Sequence, residues 1–279
     1  MKKITNELIK KFKNYLINEE KSQATVEKYI RDITTFAKWL NGRSIDKSVV
    51  IEYKQTIVEA YAPTSANSML SSINSFFAYM EWYDCKVKTF KVQKQIIANQ
   101  DKELTKDEYE KLFRAAQQNK NEKLYLLMQT ICGTGIRVSE LRYISIEAIS
   151  KGQAIINSKG KMRVVILPNK LCAALKKYAK KQGIAGGSIF VSKNGKPLDR
   201  SNIWKMMKNL CESAGVSKDK VFPHNFRHLF ARTYYSLEKD VVRLADILGH
   251  SSVNTTRIYT METSAVHRIQ LQRLGLLLC

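Results

Sequence analysis

The sequence PHNFRHLFARTYYSLEKDVVRLADILGHSSVNTTRIY, residues 223–259, decides the fold and the chemistry of this chain. Its apolar positions recur at helical spacing over residues 225–237 and again over residues 240–248. Gly249 stands where the second of these helices would end. A polar run follows that is suited to starting another helix, within which Tyr259 would lie.

Four side chains of this stretch are suited to phosphate chemistry. His224 and Arg227 are three residues apart and share one face of a helix, so an imidazole lies beside a guanidinium. His250 follows the glycine. Tyr259 supplies a hydroxyl; because tyrosine side chains ordinarily ionise near pH 10, a tyrosine nucleophile needs neighbouring cations or a base. Taken singly, these residues also fit a surface His–Arg pair and a tyrosine at the edge of the core.

Two basic residues precede this stretch. Arg137 follows a glycine-containing turn, residues 133–136, from which a guanidinium can bind two oxygens of a phosphate. Lys159 lies in a polar turn between two short segments of strand composition. Glu140 is placed to orient Arg137 or a nearby histidine. The alternatives are a surface ion pair for Arg137 and an exposed helix position for Glu140.

The stretch belongs to a predicted mixed, mostly helical domain over residues 104–279. Thr105 and Glu108 form a capping box, with Leu104 and Tyr109 placed as a hydrophobic staple. Besides the helices named above, helices are expected over residues 105–117, 121–132, 169–181 and 200–214. Strands are expected over residues 153–157 and 162–167, joined as a hairpin by the turn that contains Lys159.

Residues 1–85 are predicted to form a separate helical domain. Four amphipathic segments with short connections lie at Leu8–Leu16, Tyr29–Leu40, Ser48–Ala60 and Met69–Met80. Residues 86–103 are rich in lysine and lack helical periodicity. They are predicted to be a basic linker between the two domains.

The composition favours a polyanionic partner. The net charge is +22 and both domains are basic, so nucleic acid is the first expectation and an anionic membrane surface the alternative. No apolar run approaches the roughly 18 residues that span a bilayer, and no signal-peptide core follows the N-terminus, so no membrane partner and a cytoplasmic location are expected. The five cysteines are scattered without a C-x-x-C pair, and we expect no metal site and no cofactor.

In order, type and spacing, the motifs of residues 133–259 resemble those of the tyrosine recombinase (lambda-integrase-type) family, most closely its short two-domain Xer-like members. Residues 21–29, KSQATVEKY, also resemble the start of that family's N-terminal core-binding domain. The resemblance implies a mainly α fold. It consists of an N-terminal helical (SAM-like) domain and a mostly helical catalytic domain with a small β-sheet, which form a clamp around DNA. The chain departs from the family at Phe226, where leucine is usual.

The resemblance implies six catalytic residues: Arg137, Lys159, His224, Arg227, His250 and Tyr259. The two arginines would clamp the scissile phosphate, and the tyrosine would attack it as the nucleophile. The implied product is a 3′-phosphotyrosine with a free 5′ hydroxyl. Two arginines and a histidine can stabilise the charge of the transition state as metal ions do elsewhere, so the implied reaction is metal-independent.

The remaining roles are also carried over from the resemblance. Lys159 would protonate the leaving 5′ oxygen, with Lys161 as the alternative because the turn is about one residue shorter than usual. His224 would accept or donate a proton, and His250 would hydrogen-bond the phosphate. Glu140 would be a supporting carboxylate.

The implied partner is duplex DNA with specific recombination sites. Four protomers would exchange strands through a Holliday junction, as a homotetramer in which the tail, residues 265–279, docks onto a neighbouring protomer; packing of the tail on its own domain is the alternative. A second recombinase or an activator is compatible with the sequence, and mobile-element integration or excision and chromosome dimer resolution both remain open. The other functions considered are a type IB topoisomerase-like nicking-closing enzyme and a non-catalytic DNA-binding regulator.

Overall fold

The structure is a computed structural model that describes residues 2–92, 100–158, 161–259 and 272–273. The chain divides into two compact units, residues 1–94 and 95–279, and each unit has its own apolar core. The fold is mainly α, with one small two-stranded sheet in the described part of the chain. The predicted fold class is therefore confirmed.

The described part of the first unit contains four α-helices, α1 Asn6–Asn18, α2 Gln23–Leu40, α3 Lys47–Ala60 and α4 Pro63–Tyr79, followed by a 3₁₀ turn at Tyr83–Cys85. The side chains of Thr5, Ser22 and Asp46 accept hydrogen bonds from backbone N–H groups in the first turns of α1, α2 and α3, which fixes where each helix begins. The apolar stripes meet in an aromatic core, where Phe12 packs edge-on against Phe76 with ring centroids 5.3 Å apart.

The beginning of the segment predicted to be a linker, residues 86–103, packs on the first unit. The Asn74 side chain donates to the Val87 carbonyl at 2.8 Å and accepts from the Val87 N–H at 3.1 Å. Asn67 pairs with both backbone groups of Phe90 in the same way, at 2.9 and 2.7 Å. Two amides of α4 therefore provide the backbone partners that a helix or a strand would provide, so this non-helical segment packs on the unit with these polar groups paired.

Eight α-helices are described in the second unit: α5 Lys106–Gln118, α6 Glu122–Thr134, α7 Ile146–Lys151, α8 Asn169–Lys181, α9 Arg200–Ala214, α10 Pro223–Glu238, α11 Val241–Leu248 and α12 Val253–Thr256. The capping box of Thr105 and Glu108 is confirmed. The short α7 and a 3₁₀ helix at Val138–Tyr143 were not predicted. α10 packs against α6, which brings the two halves of the candidate site together.

The predicted hairpin is present as two antiparallel strands, β1 Gln153–Ser158 and β2 Lys161–Ile166. Ala154 and Val165 are opposite each other on the buried face, and Ile155 and Val164 on the exposed face. The exposed face is as apolar as the buried one, because Met162 also lies on it at 71 % exposure.

Two predictions concern parts of the chain that are only partly covered. In the described residues, no helix is both long enough and apolar enough to cross a membrane. The tail, residues 265–279, lies outside the described residues except for positions 272–273.

Candidate active site

Arg227 lies at the junction of three elements. Pro223 opens α10, so Arg227 falls in the second turn of the helix, where its side chain is 1 % exposed. Its Nη1 donates to the carbonyl of Gly135, which ends α6 in the left-handed conformation at φ +63°. Its Nη2 donates to the carbonyl of Leu248, the last residue of α11, at 2.8 Å. One guanidinium thus joins the ends of two helices.

His250 lies at the end of α11, where Gly249 turns the chain with φ +64°. The Arg227 Nη2 is 3.0 Å from His250 Nε2, and His250 Nδ1 is 2.9 Å from the Thr256 hydroxyl. Because a guanidinium can only donate, Nε2 must accept and the ring proton must be on Nδ1. Both nitrogens of His250 are therefore engaged within the protein, one with Arg227 and one with Thr256.

Arg137 is held by Glu140, which is one 3₁₀ turn further along the chain. The Glu140 carboxylate accepts from the Arg137 backbone N–H at 2.9 Å and from its Nη1 at 3.0 Å. The Arg137 Nη2 also donates to the Gly249 carbonyl at 3.3 Å. The side chain of Arg137 remains 39 % exposed, so of the two predicted clamp arginines it is the accessible one.

Tyr259 ends the 3₁₀ turn Arg257–Tyr259 that follows α12, and it is 3 % exposed. Its ring lies edge-on to that of His228 at 4.9 Å and is stacked with that of His250 at 6.1 Å. The His228 ring in turn contacts the His224 ring at 4.4 Å. The predicted nucleophile is therefore enclosed by histidines, with the Arg227 guanidinium facing its hydroxyl.

The histidines of the site are uncharged near neutral pH. Burial, followed by the positive charges of Arg227 and Arg137, lowers the pKa of His250 to about 4. Burial also lowers the pKa of His228 to about 4, with His224 and Arg227 adding to the effect. His224 is exposed as a whole, yet the packed surroundings of its inner side and then Arg227 lower its pKa below the ordinary value.

The Arg227 guanidinium is not fully used by its partners. It has five N–H groups; the Gly135, Leu248 and His250 contacts use three of them, and the Tyr259 hydroxyl is a further acceptor. Burial lowers the pKa of Arg227 to about 10, so the group stays charged at neutral pH. Buried cations without a carboxylate partner favour the approach of an oxyanion such as a phosphate.

Five of the six predicted catalytic residues are therefore brought together. The sixth, Lys159, lies outside the described residues; the Lys161 backbone pairs with Ser158 in the hairpin. Among the described residues, no cluster of three or more potential metal-binding side chains occurs.

Three residues at this site were missed by the sequence reasoning. Arg163 of β2 donates to Glu140 at 2.6 Å, Thr256 fixes the His250 tautomer, and His228 packs on Tyr259. His228 follows His224 by four residues and Thr256 precedes Tyr259 by three, and these helical spacings were the available indications. Strand alternation gave none for Arg163, because only the structure shows that its face, shared with Val165, is the buried one.

Comparison with known proteins gives consistent results over nearly the whole chain. Residues 102–265 match the phage integrase family, and residues 9–83 match the phage integrase N-terminal SAM-like domain. The chain is 27% identical to tyrosine recombinase XerA of Pyrococcus furiosus over 287 residues, which covers 99% of this chain and 96% of that protein. It is 29% identical to tyrosine recombinase XerH of Campylobacter jejuni, with 91% and 77% covered.

The fold is also shared with a solved structure. A lambda integrase fragment, residues 75–356, crystallised as a dimer on a COC′ core site, superimposes with a TM-score of 0.74 at 19% identity over 91% of this chain and 94% of that one. These similarities favour neither a type IB topoisomerase nor a non-catalytic regulator. Because the family match covers more than half of the chain, the protein belongs to the phage integrase family and is a site-specific tyrosine recombinase.

Proposed function

We propose that this recombinase cleaves a DNA strand at a specific duplex site by attack of Tyr259 on the scissile phosphodiester. The observation that carries the proposal is the convergence of Arg137 and Arg227 on the α11 end, next to the Tyr259 ring. The bond formed joins the tyrosine oxygen to the 3′ phosphate, and the bond broken releases a 5′ hydroxyl. A second 5′ hydroxyl reverses the step without a nucleoside triphosphate.

The two arginines stabilise the negative charge that gathers on the non-bridging phosphate oxygens. Arg137 is fixed by Glu140, and Arg227 by two backbone carbonyls and His250, so both guanidiniums are held in place before DNA binds. Removal of one such preorganised donor typically costs about 3–4 kcal/mol of transition-state stabilisation. Because Tyr259 is almost fully buried, its hydroxyl must become accessible when DNA binds.

Proton transfer is assigned to groups on either side of the phosphate. His224 is the exposed, uncharged imidazole of the site and can accept the proton of the Tyr259 hydroxyl or return it. His250 has both nitrogens engaged, so its role in the DNA-free protein is to hold Arg227, and contact with the phosphate requires an exchange of partners. Lys159 donates to the leaving 5′ oxygen, with Lys161 as the alternative.

The larger assembly is proposed on the basis of the relatives. Residues 1–85 form the core-binding domain and residues 104–279 the catalytic domain, joined by the basic segment 86–103 and closing as a clamp on DNA. A XerH structure is bound to its difH substrate, and a lambda integrase tetramer is bound to a Holliday junction. We extend this to a cytoplasmic homotetramer of the present chain, with tail exchange between protomers.

The test uses DNA recovered from random duplexes by binding to the protein, converted into a substrate with a nick beside the cleavage position. The wild-type chain is expected to accumulate a covalent adduct. Tyr259→Phe should bind the same DNA with unchanged affinity and form no adduct. Tyr234→Phe, which alters a tyrosine packed against the same small core, is the matched control and should form the adduct normally.

An adduct of normal yield with Tyr259→Phe would overturn the assignment of the nucleophile. Failure of the wild-type chain to cleave any recovered sequence would overturn the catalytic proposal as a whole. The recovered sequences also distinguish a chromosomal site from the ends of a mobile element.

A further inference from the structure

A third arginine reaches the site from the inner face of the hairpin. Arg163 lies on β2 with its side chain 14 % exposed. Its Nη2 donates to Glu140 Oε2 at 2.6 Å, and its Nη1 donates to the carbonyl of Ile247 at 2.8 Å. Its Nε is buried without a hydrogen-bond partner among the described residues. A buried N–H group without a partner costs free energy, and stabilisation of the hairpin alone does not explain why an arginine is present here.

The end of α11 is held by three arginines at three successive peptide groups. Arg163 contacts the carbonyl of residue 247, Arg227 that of residue 248, and Arg137 that of residue 249. Carbonyl groups at a helix C-terminus carry the negative end of the helix dipole, which suits cationic partners. The segment that carries His250 is thus fixed by the same two guanidiniums proposed to bind phosphate, and by Arg163.

Gly249 and Arg163 fit each other closely. A Cβ added at Gly249 would collide with the Arg163 Cδ and would lie 2.8 Å from its Nε. The φ of +64° independently disfavours other residues at this position. The absence of a side chain at Gly249 therefore allows Arg163 to lie directly beneath the turn.

Glu140 links Arg163 to Arg137. One carboxylate, 4 % exposed, contacts both guanidiniums at 3.0 and 2.6 Å. Burial would raise the pKa of Glu140, but hydrogen bonds from the Arg137 backbone and the charge of Arg163 outweigh burial and lower it. The carboxylate stays ionised and bridges Arg163 of the hairpin and Arg137, so the placement of Arg137 depends on that of the hairpin.

We propose that Arg163 is a positioning residue of the recombinase, which locks the α11 end and Glu140 together so that Arg137, Arg227 and His250 face one phosphate. Arg163 itself does not touch the DNA. This inference rests on the catalytic roles proposed above for the residues that it positions.

The test compares Arg163→Met with Arg163→Lys and with a matched control, Arg232→Met. Arg232 on α10 is also a largely buried arginine: it contacts one carboxylate, Glu103, and donates to one backbone carbonyl, Leu104, and its Nε has no partner among the described residues. Within the described part of the chain, these contacts of Arg232 do not include a residue of the candidate site. For each protein, the dissociation constant for site DNA and the single-turnover cleavage rate at saturating DNA are measured on the nicked substrate.

Arg163→Met is expected to cleave about 10- to 100-fold more slowly at saturating DNA, the range typical of losing a group that orients a functional residue. The dissociation constant should change less than about threefold, because no DNA contact is lost. Arg163→Lys should be intermediate, since one ammonium cannot reproduce the two-sided guanidinium contact. Arg232→Met should cleave at the wild-type rate even if it melts at a lower temperature.

A folded Arg163→Met protein that cleaves at the wild-type rate would overturn the proposal, as would an equal loss of rate in Arg232→Met. If Arg163→Met does not fold, Gly249→Ala displaces Arg163 and retains its charge; it should slow cleavage to a similar extent, and a normal rate would count against the proposal.

A second readout does not depend on cleavage. Nitrogen-15 NMR of arginine side chains in the DNA-free protein detects guanidiniums that are held rigidly. Arg163→Lys should broaden or lose the immobilised Arg137 and Arg227 signals and leave that of Arg232 unchanged. Unaltered signals would refute positioning, whereas a lack of cleavage by the wild type would refute only the catalytic roles.

Discussion

The contacts of Arg227 explain why this position of the site requires an arginine. Its guanidinium is 1 % exposed and donates to two helix-end carbonyls and to a histidine nitrogen. Those three acceptors lie in different directions, so a planar fork with five donors fits and the compact ammonium of lysine does not. Burial of the cation is offset by partial negative charges of helix ends, and the remaining donors are those proposed above to bind phosphate.

His228 offers a test of whether ring shape or ring chemistry matters beside the nucleophile. Its Nε2 is buried with no partner in the described structure, and its ring contacts those of His224 and Tyr259. His228→Phe keeps an aromatic ring and removes the unpaired nitrogen, so we expect equal or higher stability and cleavage within a few-fold of wild type. His228→Ala leaves a cavity and should lose about 2–4 kcal/mol of unfolding free energy.

Thermal unfolding and cleavage of the nicked substrate provide the two measurements. A His228→Phe protein that is stable and binds DNA but does not cleave would show that the imidazole takes part in proton transfer. The catalytic roles of His224 and His228 would then have to be reconsidered together.

At the scale of secondary-structure elements, the site is formed by the ends of helices. The C-terminal turns of α6 and α11, the first turns of α10 and a 3₁₀ turn bearing Tyr259 all meet there. Helix ends expose backbone groups that need partners, and here arginines provide them. The hairpin β1–β2 adds Arg163, and Lys159 lies between its two strands in the sequence. One small element would therefore supply both the proton for the leaving group and the support behind Arg137.

The two candidate lysines of the hairpin can be separated by changing the leaving group. A substrate with sulfur in place of the bridging 5′ oxygen releases a thiolate, which needs little protonation because its pKa is far lower than that of an alcohol. Lys159→Ala should cleave the normal substrate at least about 100-fold more slowly and the sulfur substrate at nearly the wild-type rate. Lys161→Ala should cleave both at similar fractions of the wild-type rate. Rescue of Lys161→Ala alone would reverse the assignment.

At the scale of the whole molecule, positive charge occurs in both units, whereas the histidines occur in the second unit only. The net charge of +22 suits a long polyanion, and both units share in it. All four histidines lie in the second unit, three of them at the candidate site. Acid sensitivity should therefore be confined to one unit.

This confinement can be measured. The pKa values of His228 and His250 fall from 6.5 to about 4 in the folded protein. Between these values the unfolded chain binds protons that the folded chain does not. The free energy of unfolding therefore rises with pH across this window, and the contribution of the two histidines is lost on acidification. Hydrogen exchange of α10 and α11, corrected for intrinsic rates, should accelerate from about pH 6.5 to 4, whereas α2 should not change.

His228→Phe is the control for that experiment, and it should flatten the acid dependence in α10. Equal destabilisation of α2 and α10 by acid would contradict the confinement to the second unit.

Sequence reasoning predicted the helices well because their apolar stripes and caps are local. The motif residues Arg137, Arg227 and His250 were identified because their order and spacing resemble those of the tyrosine recombinase family, and the structure brings them together. Spacing could not give the partners of His250, because Thr256 reaches it only after Gly249 has turned the chain.

The hairpin shows why Arg163 was missed. Met162, Val164 and Ile166 alternate as a buried strand face would, yet they are 52–71 % exposed. The opposite face, which carries Arg163 and Val165, is the one that packs inward. Tertiary contacts with Glu140 and the α11 end decided the orientation, and a two-stranded pattern alone does not contain that information.

The pairing of Asn67 and Asn74 with the backbone of Val87 and Phe90 has a consequence for how two DNA-binding modules would act together. It ties residues as far as Phe90 to the first unit, so the chain from there to Gln100, where a 3₁₀ helix begins, spans at most about 36 Å when fully extended. With both units on one duplex, as proposed, so short a tether gives the second a high effective concentration once the first has bound. By shortening the free tether in this way, two asparagine side chains would increase the avidity for DNA without a contact of their own to the DNA.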